Sequence, residues 1–300
     1  MQALISPSVR RAAAAGAVCL ALAWALAIPR PAQAQVASEM VSFEAATARD
    51  AGAKVKGELR LPEAGAGPRP AVLVLHTSAG YTGDRISHHY IDRLNRLGIA
   101  TLRINMFPDS RSRPRSTREI LPHAYGSLLY LAAQPRIDPG RIGVLGFSYG
   151  GVMAILMASQ DLTEEYTGGK AKFAAHLALY PLCRAHSGVL AGNNPVYPAG
   201  TYHRVTGAPV RILTGDLDSY DEPDSCPKFV AALPDDVRQY FAATVYPGAH
   251  HVFDEPGANR QHRDSYSLNG TVVVRYNSEA AEKAWAFAEQ FFSQNLAARH

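Results

Sequence analysis

Residues 142–151, I-G-V-L-G-F-S-Y-G-G, constrain the fold of this chain more than any other stretch. The apolar run 142–145 reads as a buried strand. Gly146-Phe147-Ser148-Tyr149-Gly150 follows at once in the pattern G-x-S-x-G, and good helix formers fill 152–158. Strand, tight turn and helix form the context in which this pattern presents a serine as a nucleophile. The turn forces Ser148 into a strained conformation. The residues two before and two after it approach backbone closely, and both, Gly146 and Gly150, lack a side chain. The hydroxyl then stands at the end of a strand, over a helix N-terminus whose N–H groups favour negative charge. The alternative is a serine in a glycine-rich turn with nothing to activate it.

The flanking sequence repeats the same alternation. Residues 40–45 and 55–61 read as antiparallel edge strands at the N-terminal side of a sheet. The continuous apolar run 71–75 reads as a central parallel strand, buried on both faces. Residues 85–97 have helical spacing, with Ile86, Tyr90, Leu94 and Leu97 on one side and Gly98 as the cap. Strands follow at 99–104, 173–180, 210–214 and 241–246, and helices at 119–133 and 227–233. Pro139-Gly140 reads as the turn into the elbow strand. A final helix starts at Asn277, with Ala281, Trp285, Ala288 and Phe292 facing the core. Segments 181–207 and 255–274 lack periodicity and read as irregular insertions over the site. The expected architecture is α/β: a doubly wound, mainly parallel sheet with helices on both faces.

Residues 1–34 have the pattern of a secretory signal: Arg10 and Arg11, the apolar run 12–28, then Ala32-Gln33-Ala34 as a cleavage site. A retained membrane anchor is the alternative, disfavoured by the shortness of the run and by Pro29 and Pro31. Residues 35–300 then form one domain, periplasmic or secreted. The formal net charge is +4, and three of the basic residues (Arg10, Arg11, Arg30) lie in the leader. The remainder is close to neutral, which gives no electrostatic footprint for nucleic acid. Beyond the leader only Cys183 and Cys226 remain, an even pair that suggests a disulfide in an oxidising compartment, with two buried thiols as the alternative. No metal site is expected, because neither C-x-x-C nor H-E-x-x-H occurs.

A serine hydroxyl needs a base, and the base needs an orienting acid. The strand 210–214 runs into Gly215-Asp216-Leu217-Asp218, and the strand ending at Tyr246 runs into Pro247-Gly248-Ala249-His250-His251-Val252-Phe253-Asp254. The G-x-x-D turn, the Y-P-G-x-x-H-x-F-D stretch and G-F-S-Y-G-G together resemble the dienelactone hydrolase family of α/β-hydrolases, over residues 55–296. The resemblance implies the α/β-hydrolase fold. It also implies Asp218 as the acid and His251 as the base, with Asp216 and His250 as runners-up. The oxyanion would be received by the backbone N–H groups of Tyr149 and Ser78. His76 and Thr77 share the Ser78 loop and are possible pocket residues, with a purely structural role as the alternative. It further places the Cys183 and Cys226 pair beside the site. No cofactor is implied, since acyl transfer through such a triad needs none.

The chain also departs from the family pattern. The best-known members carry cysteine in the elbow, where this chain has Ser148. They place an arginine shortly after the histidine, where this chain has Asp254 and Glu255. Arg111 and Arg113 could supply an anion site instead, with a solvated basic loop as the alternative. The expected activity is hydrolysis of a small carboxylic ester or lactone through an acyl-enzyme. A small-peptide or amide hydrolase like the prolyl oligopeptidases, and a non-catalytic binding protein on the same fold, are the other readings.

Overall fold

The computed structural model describes residues 36–46, 53–63, 67–107 and 116–298. The leader, Arg111 and Arg113 lie outside the described residues. Among the described residues, no helix is long and apolar enough to cross a membrane.

Eight strands form one mixed sheet: β1 (Val36–Glu44), β2 (Lys54–Pro62), β3 (Arg69–Leu75), β4 (Ala100–Ile104), β5 (Ile137–Phe147), β6 (Ala175–Leu179), β7 (Val210–Leu217) and β8 (Phe241–His250). Their order is β1-β2-β4-β3-β5-β6-β7-β8. The first two strands pair antiparallel, β2 pairs antiparallel with β4, and every later pairing is parallel. Central strands alternate their side chains between two cores. On β3, Ala71, Leu73 and Leu75 enter one core, and Val72 and Val74 the other. The first core is closed by α2 (Leu121–Ala132), α3 (Tyr149–Leu156), α5 (Cys183–Leu190) and α6 (Ser225–Ala232). The second is closed by α1 (Ser87–Arg96) and α8 (Ser278–Asn295). The doubly wound sheet and its antiparallel N-terminal edge are as the sequence predicts. A short α4 (Gln160–Thr167) and an α7 (Asp235–Arg238) complete the α-helices of the described residues, beside 3₁₀ turns at Thr117–Glu119 and Ala199–Tyr202.

Three local readings are corrected. Pro139-Gly140 is not a turn before the strand but part of a β5 bulge, where Arg69 pairs with Ile137 and Ala71 with Ile142. Segment 181–207 contains α5, whose first N–H groups are capped by a residue 37 and 38 positions away, Asp221. Segment 255–274 contains most of an antiparallel hairpin, β9 (Asn259–Arg263) with β10 (Thr271–Arg275). Its outer strand is polar throughout, so alternation could not reveal it.

Candidate active site

The elbow is built by exclusion of side chains. Ser148 has φ 50° and ψ −110°, and α3 begins at the next residue. A Cβ on Gly146 would lie 2.0 Å from the Gly150 carbonyl oxygen, and one on Gly150 would lie 2.3 Å from that of Leu75. No side chain fits at either position, so the turn tightens until the serine side chain has one direction left. Gly215 acts likewise: its Cβ would meet the Ala249 oxygen at 1.9 Å. The ends of β7 and β8 therefore close together, and the loops after them converge. Strained backbone clusters here: Tyr180 (φ 39°) and Val252 (φ 56°) are, with Ser148, the positive-φ residues other than glycine among the described residues.

Three polar side chains meet at that convergence. His251 Nε2 lies 2.9 Å from Ser148 Oγ, and His251 Nδ1 lies 2.8 Å from Asp218 Oδ2. The carboxylate accepts only, so Nδ1 carries the proton and the Nε2 lone pair faces the serine hydroxyl. All three are buried, with 7 %, 6 % and 4 % exposure for Ser148, Asp218 and His251. Asp218 Oδ1 accepts the N–H of Tyr220 at 2.9 Å, which fixes the carboxylate plane. The imidazole is held between two rings, Tyr220 at 4.5 Å and Tyr180 at 5.1 Å. This geometry can take a proton from a hydroxyl and hold the resulting cation.

The runners-up sit elsewhere. Asp216 accepts the Gly248 N–H at 2.7 Å and braces the two loops. His250 pairs with Leu217 across β7 and β8, and its Nδ1 finds no hydrogen-bond partner among the described residues. His76 and Thr77 do not line the cavity. His76 Nδ1 donates to the Thr77 carbonyl at 2.7 Å, and its Nε2 accepts the Met106 N–H at 3.0 Å. Both nitrogens are thus committed to backbone, and burial pushes this imidazole below its ordinary value. It is a fastener between the ends of β3 and β4. The arginine position of the family pattern is also filled differently. Glu255 pairs with Arg260 through two contacts of 2.9 and 2.6 Å, and Asp254 turns inward.

A cavity of about 320 Å³ opens onto Ser148. Ser78 and Tyr149, the two expected oxyanion donors, lie on its wall. Val152 and Leu156 of α3 form one side, and Leu182, Ala185, His186 and Val189 the other. The last four have i, i+3, i+4, i+7 spacing, the facing stripe of a helix. Tyr220 and Tyr266 cover it, with the Asp264 carboxylate beside them. Arg184 fastens the β9–β10 tip through the Tyr266 carbonyl oxygen. Tyr180, Tyr220 and Asp254 were not legible as site residues; only the short spacing of Tyr220 and Asp254 from Asp218 and His251 hinted at them.

Cys183 and Cys226 form a disulfide that ties α5 to α6. Asp221 lies beside it, the third member of the one potential metal-ligand group among the described residues. The two sulfurs are spent on each other, and thiolate is the form that binds metal, so the set does not fit an ion. Asp221 instead caps α5, accepting the N–H groups of Cys183 at 2.5 Å and Arg184 at 3.2 Å. Burial pushes its carboxyl up to about 7, against those two donors, from an ordinary 3.8. The native state therefore holds a proton there that the unfolded chain releases. Stability from this group is complete below pH 3.8 and is lost as pH rises through 7. Asp221→Asn removes that titration, so its melting temperature relative to wild type should climb between pH 5 and pH 8. An offset that stays constant over that interval would refute the assignment.

Comparison with known proteins gives a consistent set of similarities. The model of the dienelactone hydrolase family matches residues 104–296, and an esterase FrsA-like family model matches residues 32–164. A curated protein from Bradyrhizobium sp., described as a probable 2-oxo-3-(5-oxofuran-2-ylidene)propanoate lactonase, is 26% identical over 149 residues. That match covers 50% of this chain and 52% of the relative, so the chain spans about half the length of the curated relative it matches. Among solved structures, Thermogutta terrifontis esterase 2 phosphoramylated by tabun aligns with a TM-score of 0.64 at 18% identity, over 87% of this chain and 97% of that one. Dienelactone hydrolase from Anabaena variabilis aligns at 0.58 and 19%, over 88% and 99%. At those identities the structural matches speak to the fold.

Proposed function

The chain belongs to the dienelactone hydrolase family, and on that footing we propose that this hydrolase cleaves small carboxylic esters or lactones through Ser148, His251 and Asp218. The observation that carries the proposal is the continuous relay Ser148 Oγ to His251 Nε2 to Asp218, at 2.9 and 2.8 Å. Ser148 Oγ attacks the carbonyl carbon and its proton passes to Nε2. Asp218 keeps the tautomer and stabilises the imidazolium. The N–H groups of Tyr149 and Ser78 receive the oxyanion, each contributing about 10²–10³ in turnover. Collapse of the tetrahedral adduct sends the Nε2 proton to the leaving oxygen and leaves an acyl-serine. Water then attacks, giving its proton to Nε2, and the acid departs as the proton returns to Oγ. With a lactone the leaving oxygen stays tethered, and the product is a hydroxy acid.

The cavity walls favour an uncharged, largely apolar acyl or alcohol group. Val152, Leu156 and Val189 offer apolar surface, and the Asp264 carboxylate disfavours an anionic substrate. Ester hydrolysis is favoured over the binding-protein reading because the relay is complete in distance and order. The disulfide supports an oxidising compartment, the one to which a leader of residues 1–34 would deliver the mature protein.

A panel of p-nitrophenyl esters of varied chain length, compared with peptide p-nitroanilides, tests this reading. Neutral short-chain and medium-chain esters should be turned over with an optimum in acyl-chain length, and the peptide anilides should show no turnover above background. Anilides turned over as fast as the esters would instead favour the peptidase reading.

A further inference from the structure

Three residues beyond His251, Asp254 is fully buried. Its Oδ2 accepts the Tyr90 hydroxyl at 2.6 Å, and its Oδ1 accepts the Tyr180 hydroxyl at 2.8 Å. Tyr90 comes from α1 and packs on Phe147 of the elbow strand at 5.0 Å. Tyr180 follows β6 in a left-handed conformation, and its ring lies edge-on to His251. Besides burial, the charge of Asp254 pushes up the hydroxyl of Tyr246 on β8. No lysine or arginine pairs with Asp254 among the described residues. Burial pushes its carboxyl up to about 6, while the two tyrosine donors and its own backbone N–H pull it down, as a cation formed at His251 would.

A carboxyl without a cation is a costly way to hold two tyrosines, since an uncharged side chain of the same shape avoids the desolvation. What a charge supplies here is a field at the imidazole. The interaction is reciprocal: if a cationic His251 favours ionised Asp254, ionised Asp254 favours cationic His251 by the same amount. We propose that Asp254 is a positioning residue for His251. Acting through the imidazole, it favours the cation formed when Ser148 gives up its proton, while Tyr180, tethered to it, fixes one face of the ring. The inference rests on the reading of Ser148 and His251 as the reacting pair.

Apart from Asp221, whose carboxyl interacts with Asp218 and is pushed up to about 7, the surroundings limit what else can titrate. Burial raises Tyr90 and Tyr180 well above their ordinary value and Tyr246 to about 12, so all three remain neutral donors between pH 5 and 9. Asp84 acts on Tyr180 and Arg93 on Tyr90. His251 itself faces Asp218, Ser148, Tyr180 and Tyr220.

The test is the pH profile of kcat/KM for p-nitrophenyl butyrate between pH 5 and 9, with melting temperatures, for wild type, Asp254→Asn and Tyr180→Phe. The acid limb reports protonation of the free enzyme's base. Loss of the buried charge should move its midpoint down by about 0.5 to 1 pH unit and lower kcat roughly twofold to tenfold, with KM little changed. The wild-type limb should be shallower than a one-proton curve, because protonating Asp254 weakens the base. In an Asp221→Asn background, which removes the other carboxyl titrating in this range, Asp254→Asn should restore the one-proton slope. Tyr180→Phe removes one donor, raises the Asp254 carboxyl further and should shift the midpoint in the same direction by less. A folded Asp254→Asn whose midpoint and slope match wild type overturns the proposal, whatever its melting temperature. If Asp254→Asn does not fold, an unshifted Tyr180→Phe overturns it. Ser148→Ala run in parallel separates the two levels: activity surviving there sinks the reacting pair itself, and activity lost there with unshifted Asp254 profiles sinks only this inference.

Discussion

Ser148→Ala should lower kcat for a neutral p-nitrophenyl ester by about 10⁴- to 10⁶-fold, as expected when the member of a relay that forms the covalent bond is deleted. The melting temperature should barely move. The elbow's shape comes from the carbonyl oxygens pressing on Gly146 and Gly150, not from the serine side chain. Alanine keeps the same backbone and removes one oxygen from a cavity wall. The His251 Nε2 lone pair, left without the hydroxyl, faces a cavity that admits water, so no sealed polar atom is created. The rate that remains is the contribution of the oxyanion donors and substrate binding without a nucleophile, about 10³–10⁴ over water. Activity within tenfold of wild type would remove Ser148 from the mechanism.

Opening the Cys183–Cys226 bridge should produce the largest loss of stability. The bonded residues are 43 positions apart. Closing a loop of that length restricts the unfolded chain by about 4 kcal/mol on the chain-entropy account. For a domain of this size that corresponds to a fall of roughly 8–15 °C in melting temperature. Activity should fall with it. The bridge pins α5, whose stripe from Leu182 to Val189 is a wall of the cavity. It also lies beside Asp221, which caps α5 from the loop that carries Asp218. Cys183→Ser with Cys226→Ser, or treatment with a phosphine reductant, should therefore lower kcat and melting temperature together. Two titratable thiols in the untreated protein, or a melting temperature indifferent to reductant, would contradict this.

The parts of the molecule that were legible in its sequence are those governed by local rules. The elbow was readable because two glycines, an apolar strand and a helix start are adjacent in the chain. That Asp218 and His251 lie next to Ser148 was readable because each follows a strand at the spacing that the family pattern imposes. What escaped detection depends on contacts between distant segments. Helix α5 is eight residues long and is anchored by Asp221 and by Cys226, both more than 30 positions away. The β9–β10 hairpin has an exposed outer strand, N-R-Q-H-R, with no apolar face to alternate. Asp254 stood in plain view after His251, yet a sequence cannot say whether a carboxylate faces water or two tyrosine hydroxyls. His76 looked like a pocket residue because its loop ends a central strand. Its two ring nitrogens are occupied by backbone of the loops that follow β3 and β4.

The most direct measurement is intact and peptide mass analysis after treatment with a fluorophosphonate. That reagent reacts fast with a serine whose hydroxyl is activated and whose oxyanion is received. One adduct per chain on the peptide containing Ser148, absent from Ser148→Ala and strongly slowed in His251→Ala, is the result predicted. An unlabelled wild-type protein, or an adduct that persists when Ser148 is replaced, would contradict the account at its centre.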